Sequence, residues 1–356
     1  MILRIIRLFL FIFLFALGTS WLLFSPVEVD AVAWSPERDQ GFTGDFALNE
    51  RLAPLQAIPL GGSVGPEDIA VHSDGSIWTT TQDGILWRVE GRSALEVGRL
   101  TDRPLGLEFG ADDALYIADP TIGLLRWTID GGSEVLLDRV NGAPLRYINQ
   151  LDVGSDGSVY FSVSTQRFDP ATQGGTLATS ILDLWEHRDT GYVARWRDGE
   201  VTILAEGFTY TNGVALTPEE DALIIAETGG YRIWRLDLAT GTRTEILTNL
   251  PGFPDNVQAQ GDGTFWVGLV SPRRKIADVL APFPTLREVI WRLPEQVRPT
   301  PIDHGILMRI DGQGQVLDVL HDADGAYPLV TGGRIVGDLL YVSSLGAPGL
   351  GVLAAP

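Results

Sequence analysis

The feature that most constrains this chain is a short unit that keeps returning: a strand-like run, an Asp-Gly or related tight turn, then an aromatic-rich strand. It reads "IAVHSDGSIWTTTQDGILWRV" from Ile69, "LEFGADDALYIADPTIGLLRW" from Leu107, "LDVGSDGSVYFSV" from Leu151 and "VQAQGDGTFWVGL" from Val257. Such turns join antiparallel strands. Four strands in about 40 residues, repeated along the chain, is the pattern of propeller blades, each of which buries a sheet face against the next.

Aligning the turns gives a register. Seven residues before Asp74, Asp112, Asp156, Glu219, Asp262 and Asp338 stand Glu67, Leu105, Asn149, Asn212, Asp255 and Thr331. Six turns predict six blades. Successive members of the column are 38, 44, 63, 43 and 76 residues apart, so two intervals hold extra chain. The turn pattern fails near residues 169–190 and 271–303, which places insertions there, and "KIADVLAPFPTLREVIWRL" in the second reads as partly helical. The expected architecture is an all-β, six-bladed β-propeller over residues 34–356 with an N-terminal signal-anchor helix over 1–25.

That anchor is read from Arg4 and Arg7 followed by the uncharged run "LFLFIFLFALGTSWLLF" over residues 8–24. With Ile5 and Ile6 the run approaches the ~20 residues a spanning helix needs, and the arginines stay cytoplasmic. The body is then extracytoplasmic, whether periplasmic, extracellular or lumenal. The competing reading is a cleaved signal peptide and a secreted body, with Ala31-Val32-Ala33 as the small-x-small site. That site lies far beyond the apolar run, which favours the uncleaved anchor. Acidic residues outnumber basic ones, 46 to 26, for a net charge of −20, so nucleic acid is excluded as a partner and cations are favoured. The chain has no cysteine, hence no disulfide, thiolate metal site or cysteine nucleophile.

Side chains alternate along a strand, so if the column residues sit on the innermost strands they converge on the propeller axis. Glu67, Asn149, Asn212 and Asp255 then form two carboxylates and two amides, a hard-oxygen set suited to Ca²⁺. Leu105 and Thr331 complete the ring with little coordinating power. The plain alternative is that Asn and Asp merely begin strands after turns. Asp68 and Asn256, next to column residues, read either as supporting ligands or as backbone caps.

The segments "GPEDIAV", "YINQLDV…SDGSVYFSVS", "GFTYTNGVALTPEEDALIIAET" and "NLPGFPDNVQAQGDGTFWVGL" resemble the strictosidine synthase-like proteins, including the adipocyte plasma-membrane-associated type. These sit in the wider group of gluconolactonases (SMP-30), paraoxonases and diisopropylfluorophosphatases. The resemblance implies a six-bladed propeller with a central calcium whose ligands map onto Glu67, Asn149, Asn212 and Asp255. Departures are informative. The alkaloid-forming synthase uses a glutamate on the last blade, where this chain has Thr331, so amine–aldehyde condensation is not expected. The second-blade histidine of paraoxonases is replaced by Leu105, and Gln150 replaces the aspartate of their second calcium.

The expected activity is calcium-dependent hydrolysis of an ester or lactone, with Asp255 as catalytic base or covalent nucleophile. The alternatives are a phosphotriesterase or a non-catalytic binding propeller with a structural calcium. The insertions are expected to roof a substrate pocket with Trp185, His187 and residues 283–291. His72, His304 and His321 read as surface or strand residues rather than bases. Gly61-Gly62-Ser63-Val64-Gly65 fits G-x-S-x-G but lacks the strand–turn–helix setting of a nucleophile elbow, and "DADG" over 322–325 reads as a turn.

Overall fold

The computed structural model describes residues 2–100 and 103–356. It contains six four-stranded antiparallel sheets set as propeller blades around an axis. Blade 1 opens with Ala70–Val71, blade 2 with Leu107–Phe109, blade 3 with Ile148–Val153, blade 4 with Thr211–Leu216, blade 5 with Gly252–Ala259 and blade 6 with Val330–Val336. The ring is closed by the strand Gln56–Pro59, which pairs with Gly349–Ala354 as the outermost strand of blade 6.

The turn acids act through hydrogen bonds as well as backbone shape. Asp74 accepts from the Ser76 N–H at 2.8 Å while Gly75 takes φ +84°, and Asp156 and Asp262 hold Ser158 and Thr264 in the same way at 2.9 Å. An arginine on the third strand of the blade then grips the same acid. Arg88, Arg126 and Arg235 reach Asp74, Asp112 and Asp221, each 14 residues earlier. In blade 4 the acid is Asp221, two positions after the aligned Glu219. Arg197 and Arg309 reach Asp156 and Asp262 across 41 and 47 residues. The longer separations show where the insertions fall: between the second and third strands of blades 3 and 5.

The core is divided among the blade interfaces. Ile69, Ile77 and Trp87 of blade 1 pack on Tyr341 and Leu350 of blade 6, while Ala70, Trp78 and Leu86 on the opposite face meet Leu107 and Leu115 of blade 2. The same division recurs around the ring. Burial of these apolar clusters between neighbouring blades is what holds the ring together.

A 23-residue helix, α1 (Ile2–Phe24), precedes the propeller. The blade 3 insertion carries α2 (Thr176–Glu186), a helix the strand-dominated sequence pattern did not foretell, and the blade 5 insertion carries α3 (Lys275–Leu280) and α4 (Pro284–Trp291). These two insertions pack together with the N-terminal linker through Val29, Phe168, Leu182, Trp185 and Leu280. Arg287 locks them, its backbone carbonyl accepting from Trp185 Nε1 at 2.9 Å and its guanidinium donating to the carbonyls of Trp185 and Val32. Ser63 donates to Asp83 at 2.8 Å, with no helix behind it, and Gly325 N–H closes the "DADG" turn onto Asp322 O.

Candidate functional site

The backbone reaches the axis by the same device in most blades. Two residues before the column position stands a residue in the left-handed region: Gly65 (φ +70°), Arg103 (+51°), Tyr147 (+50°), Tyr210 (+57°) and Leu329 (+52°). The strand then breaks register at the column residue itself, between Ile148 and Leu151, Thr211 and Val214, Pro254 and Val257, and Val330 and Gly332. A bulge re-aims one side chain out of the ladder, and here the bulged positions are Asn149, Asn212, Asp255 and Thr331. Gly213 beside Asn212 is required by closeness: a Cβ there would lie 2.4 Å from Val257 N and 2.5 Å from Asp255 O.

Glu67, Asn149, Asn212 and Asp255 are all buried and all line one cavity of about 130 Å³ at the end of the axis. Each leaves one oxygen without a hydrogen-bond partner: Glu67 Oε2, Asn149 Oδ1, Asn212 Oδ1 and Asp255 Oδ1. An unpartnered buried polar atom costs about 1–3 kcal/mol, more when charged, so four on one cavity wall call for a cation. Their partners are otherwise arranged. Asn149 Nδ2 donates to Ser164 Oγ at 2.8 Å, which leaves its oxygen free. Asn256 Nδ2 donates to the Glu67 carbonyl at 2.9 Å and to Oε1 at 3.3 Å, and Thr331 Oγ1 donates to the same carbonyl at 2.6 Å. Among the described residues no three His, Cys, Asp or Glu side chains gather as a metal cluster. The set reaches four only through its amide oxygens.

Burial, with the Asp255 and Asp68 charges added, pushes the Glu67 carboxyl well above the usual range. Burial also pushes Asp255 up to about 7, although its hydrogen bonds from Asn256 N–H and Asn212 and the Arg103 cation pull the other way. A bound divalent cation would remove both penalties.

Below this ring the axis is closed by protein groups. Asp68 accepts from the Ile69 N–H at 2.9 Å and the Leu107 N–H at 3.0 Å, so it caps backbone. Gln150 Oε1 accepts from Val214 N–H and Val257 N–H, both at 2.9 Å. That amide stitches blades 3, 4 and 5 together.

A second ring, missed in the sequence reading, sits two residues before the column. Tyr147, Tyr210 and Phe253 precede Asn149, Asn212 and Asp255, and all three line the cavity. The signal was an aromatic-x-Asn/Asp triplet repeated as "YIN", "YTN" and "FPD". Arg103 belongs to the same register, and its charge favours the ionised form of both acids.

The roof comes from the insertions. Leu177, Ser180, Ile181, Leu184 and Trp185 present one face of α2 to the cavity, joined by Ala277 and Arg287. Of the expected roof residues, Trp185 and His187 line the cavity, Trp291 packs against Trp185, and Phe283 is exposed. Trp34 from the linker stacks on His187 with ring centroids 3.7 Å apart. Burial, aided by Arg287 and Arg232, pushes His187 down to about 3, which leaves it neutral and a weak base. His304 and His321 are buried rather than superficial, paired Nε2 to Nδ1 at 3.0 Å beneath Phe42 and absent from the cavity lining.

A family model described as SMP-30/Gluconolactonase/LRE-like region matches residues 84–305, and one described as Strictosidine synthase-like, N-terminal, matches residues 44–89. The chain belongs to the SMP-30/gluconolactonase/LRE-like family. It is 33% identical over 238 residues to Protein STRICTOSIDINE SYNTHASE-LIKE 13 of Arabidopsis thaliana, covering 64% of this chain and 57% of that protein. It is 28% identical to the adipocyte plasma membrane-associated protein of Salmo salar, over 86% of this chain and 78% of the relative. Among solved structures, a gluconolactonase from Xanthomonas campestris superposes with TM-score 0.59 at 17% identity, covering 92% of this chain and 96% of that one. A calcium-binding regucalcin from Agrobacterium tumefaciens gives TM-score 0.58 at 14% identity, covering 85% and 94%. At these identities the likeness is one of fold.

Proposed function

We propose that this propeller is a calcium-dependent hydrolase of small esters or lactones, held to a membrane by α1 with its body on the extracytoplasmic side. The observation that carries the proposal is the set of four orphaned oxygens on the wall of a cavity that is otherwise mostly apolar. Glu67, Asn149, Asn212 and Asp255 would hold Ca²⁺, a hard cation that takes carboxylate and amide oxygens. Bound there, Ca²⁺ supplies polarisation of a substrate carbonyl and stabilisation of the developing oxyanion.

The protein's own groups do the rest. The Asp255 carboxylate either takes the proton of a water that attacks the carbonyl, or attacks the carbonyl itself, expelling the alkoxide to give an acyl anhydride that water cleaves; ¹⁸O found in the Asp255 carboxyl after a single turnover in H₂¹⁸O identifies the covalent route. Asn256 and Thr331 fix Glu67, and Ser164 fixes Asn149. Trp34, Trp185, Tyr231 and Phe253 exclude water and bind the apolar part of the substrate. Calcium binding in the regucalcin neighbour and the lactonase named among the fold neighbours support this reading.

The weak basicity of His187 and the leucine at position 105 favour a second reading, a binding propeller with a structural calcium. A panel of phenyl acetate, simple lactones and phosphotriesters, run with EGTA and then restored Ca²⁺, decides between them. Calcium-restored turnover of an ester or lactone supports the hydrolase. A folded, calcium-loaded protein inert across the panel supports binding alone, and turnover of phosphotriesters only makes it a phosphotriesterase.

A further inference from the structure

The roof of the cavity is joined to the end of the anchor. α1 ends at Phe24, and the carbonyl of the next residue, Ser25, accepts from Arg292 Nε at 2.8 Å, directly after α4. From there the linker runs along both insertions. Asp30 N–H donates to Glu186 Oε2 at 2.8 Å, Val32 N–H to Glu186 O at 2.9 Å and Trp34 N–H to Ala281 O at 3.2 Å. Trp34 is already cavity wall. Ten residues of extended chain reach at most ~35 Å, and this stretch is pinned to the roof for its whole length. A spanning α1 therefore holds the cavity end of the propeller, not the far end, beside the bilayer.

The outward face of that roof is apolar. Ile276 and Val279 of α3, Phe283 in the turn between the two helices and Leu286 of α4 are 48%, 55%, 52% and 49% exposed. Leu177 of α2, which also lines the cavity, is 43% exposed. Their helical neighbours Leu280 and Ile290 turn inward to Val29 and Trp185. On the blades, by contrast, exposed large apolar residues such as Leu95 and Leu317 stand apart on separate outer strands. A group of exposed large apolar side chains gathered on one short insertion marks a contact surface. The net charge of −20 opposes attraction to anionic lipid, so contact with a bilayer must come from apolar burial.

We propose that α3 and α4 seat on the bilayer that holds α1, so that the cavity mouth beside Leu177 and Ala277 opens at the lipid–water interface and admits apolar esters or lactones dissolved in the membrane. The substrate half of this proposal rests on the anchored-hydrolase reading, and the docking half on the anchor alone.

The chain's lack of cysteine makes the test direct. Full-length Phe283→Cys and Leu95→Cys proteins, each with an environment-sensitive fluorophore, are reconstituted in phosphatidylcholine vesicles with and without nitroxide-bearing lipid. Flotation checks the anchor in the same samples. Docking predicts that lipid nitroxide quenches the Phe283 label at least threefold more than the Leu95 label, with little dependence on salt. A protein that floats with both labels equally quenched, or neither, overturns docking while leaving the anchor intact. One that fails to float overturns the anchor and docking together. For the substrate half, Phe283→Asp with Leu286→Asp raises KM for a long-chain ester presented in vesicles about tenfold or more and leaves phenyl acetate turnover unchanged. Equal effects on both substrates overturn membrane delivery; no turnover of either by the unmodified protein overturns the hydrolase reading and, with it, the substrate half alone.

Discussion

Tyr210 donates its hydroxyl proton to Tyr147 across 2.5 Å, and Tyr147 passes its own to the Thr176 carbonyl at 2.6 Å, so two axial strands are tied to the first turn of the roof helix. The chain of donors is directional. Tyr147→Phe removes both bonds and leaves a buried Tyr210 hydroxyl unpartnered, whereas Tyr210→Phe leaves Tyr147 still bonded to Thr176. Tyr147→Phe should therefore cost about 1–3 kcal/mol and Tyr210→Phe about 1 kcal/mol or less. Urea unfolding of the two variants checks the order.

Asp255→Asn should stabilise the metal-free protein more than the calcium-loaded one. Burial raises the Asp255 carboxyl to about 7, so in metal-free protein this group destabilises the fold increasingly as pH rises from about 4 through 7. At pH 8 the metal-free variant should melt above metal-free wild type. With Ca²⁺ at a hundred times the wild-type dissociation constant, wild type should gain about 2.7 kcal/mol and the variant less, so the gap between them should narrow. Calorimetry should show calcium binding by the variant weakened about tenfold or more, and hydrolysis should be lost.

Gly213→Ala should damage the site without touching a ligand. The added Cβ would press on Val257 N and Asp255 O, backbone atoms that cannot swing aside, at a cost of about 1–3 kcal/mol. Calcium affinity should fall together with stability, which thermal melts and calorimetry would show. Unchanged affinity would mean that the bulge at Asp255 is not what aims it.

Arg287→Met should loosen the roof while sparing the ring. It removes the guanidinium bonds to Trp185 O and Val32 O, at about 1.5–3 kcal/mol each for charged hydrogen bonds in a buried setting. Hydrogen exchange should rise in residues 176–186 and 275–291 and stay at wild-type level in the blade interfaces. KM for an ester should rise more than kcat falls.

The buried histidine pair should make stability fall in acid. Burial, then the neighbouring His304, pushes His321 down to about 4, and burial lowers His304 although Asp322 opposes it. Above the unfolded value of about 6.5 both states are neutral and stability is full; as pH falls from there toward 4, only the unfolded chain takes up protons. His321→Gln should flatten the pH dependence of urea unfolding between pH 6.5 and 4.5.

The propeller was legible because its turns are chemically marked. Asp74, Asp156 and Asp262 each need a following glycine and a nearby donor, and that requirement writes a regular spacing into the chain. From the spacing alone, Glu67, Asn149, Asn212 and Asp255 fall into one column, and the structure brings them to one cavity. The bulges that aim Asn149, Asn212 and Asp255 were invisible, since a register break depends on the partner strand. The insertions were legible as a roof over the cavity, but the linker's part in it was invisible for a related reason. Trp34 meets His187, and Ser25 meets Arg292, across separations that no local pattern records. Arg103 escaped notice because nothing marks a lone arginine on a loop, although its place in the aromatic register was available.

Ring closure by Gln56–Pro59 carries a consequence for biogenesis. The strand nearest the anchor finds its partner only when Gly349–Ala354 has been made, so nearly the whole propeller must be synthesised before the first edge is covered. Until then the outer edge of blade 6 stays uncovered. A chain stopped before residue 349 would lose not one strand but the pairing of two, and would offer both blade 6 and its unclosed neighbour to aggregation. Completion of the ring is thus set by its last strand.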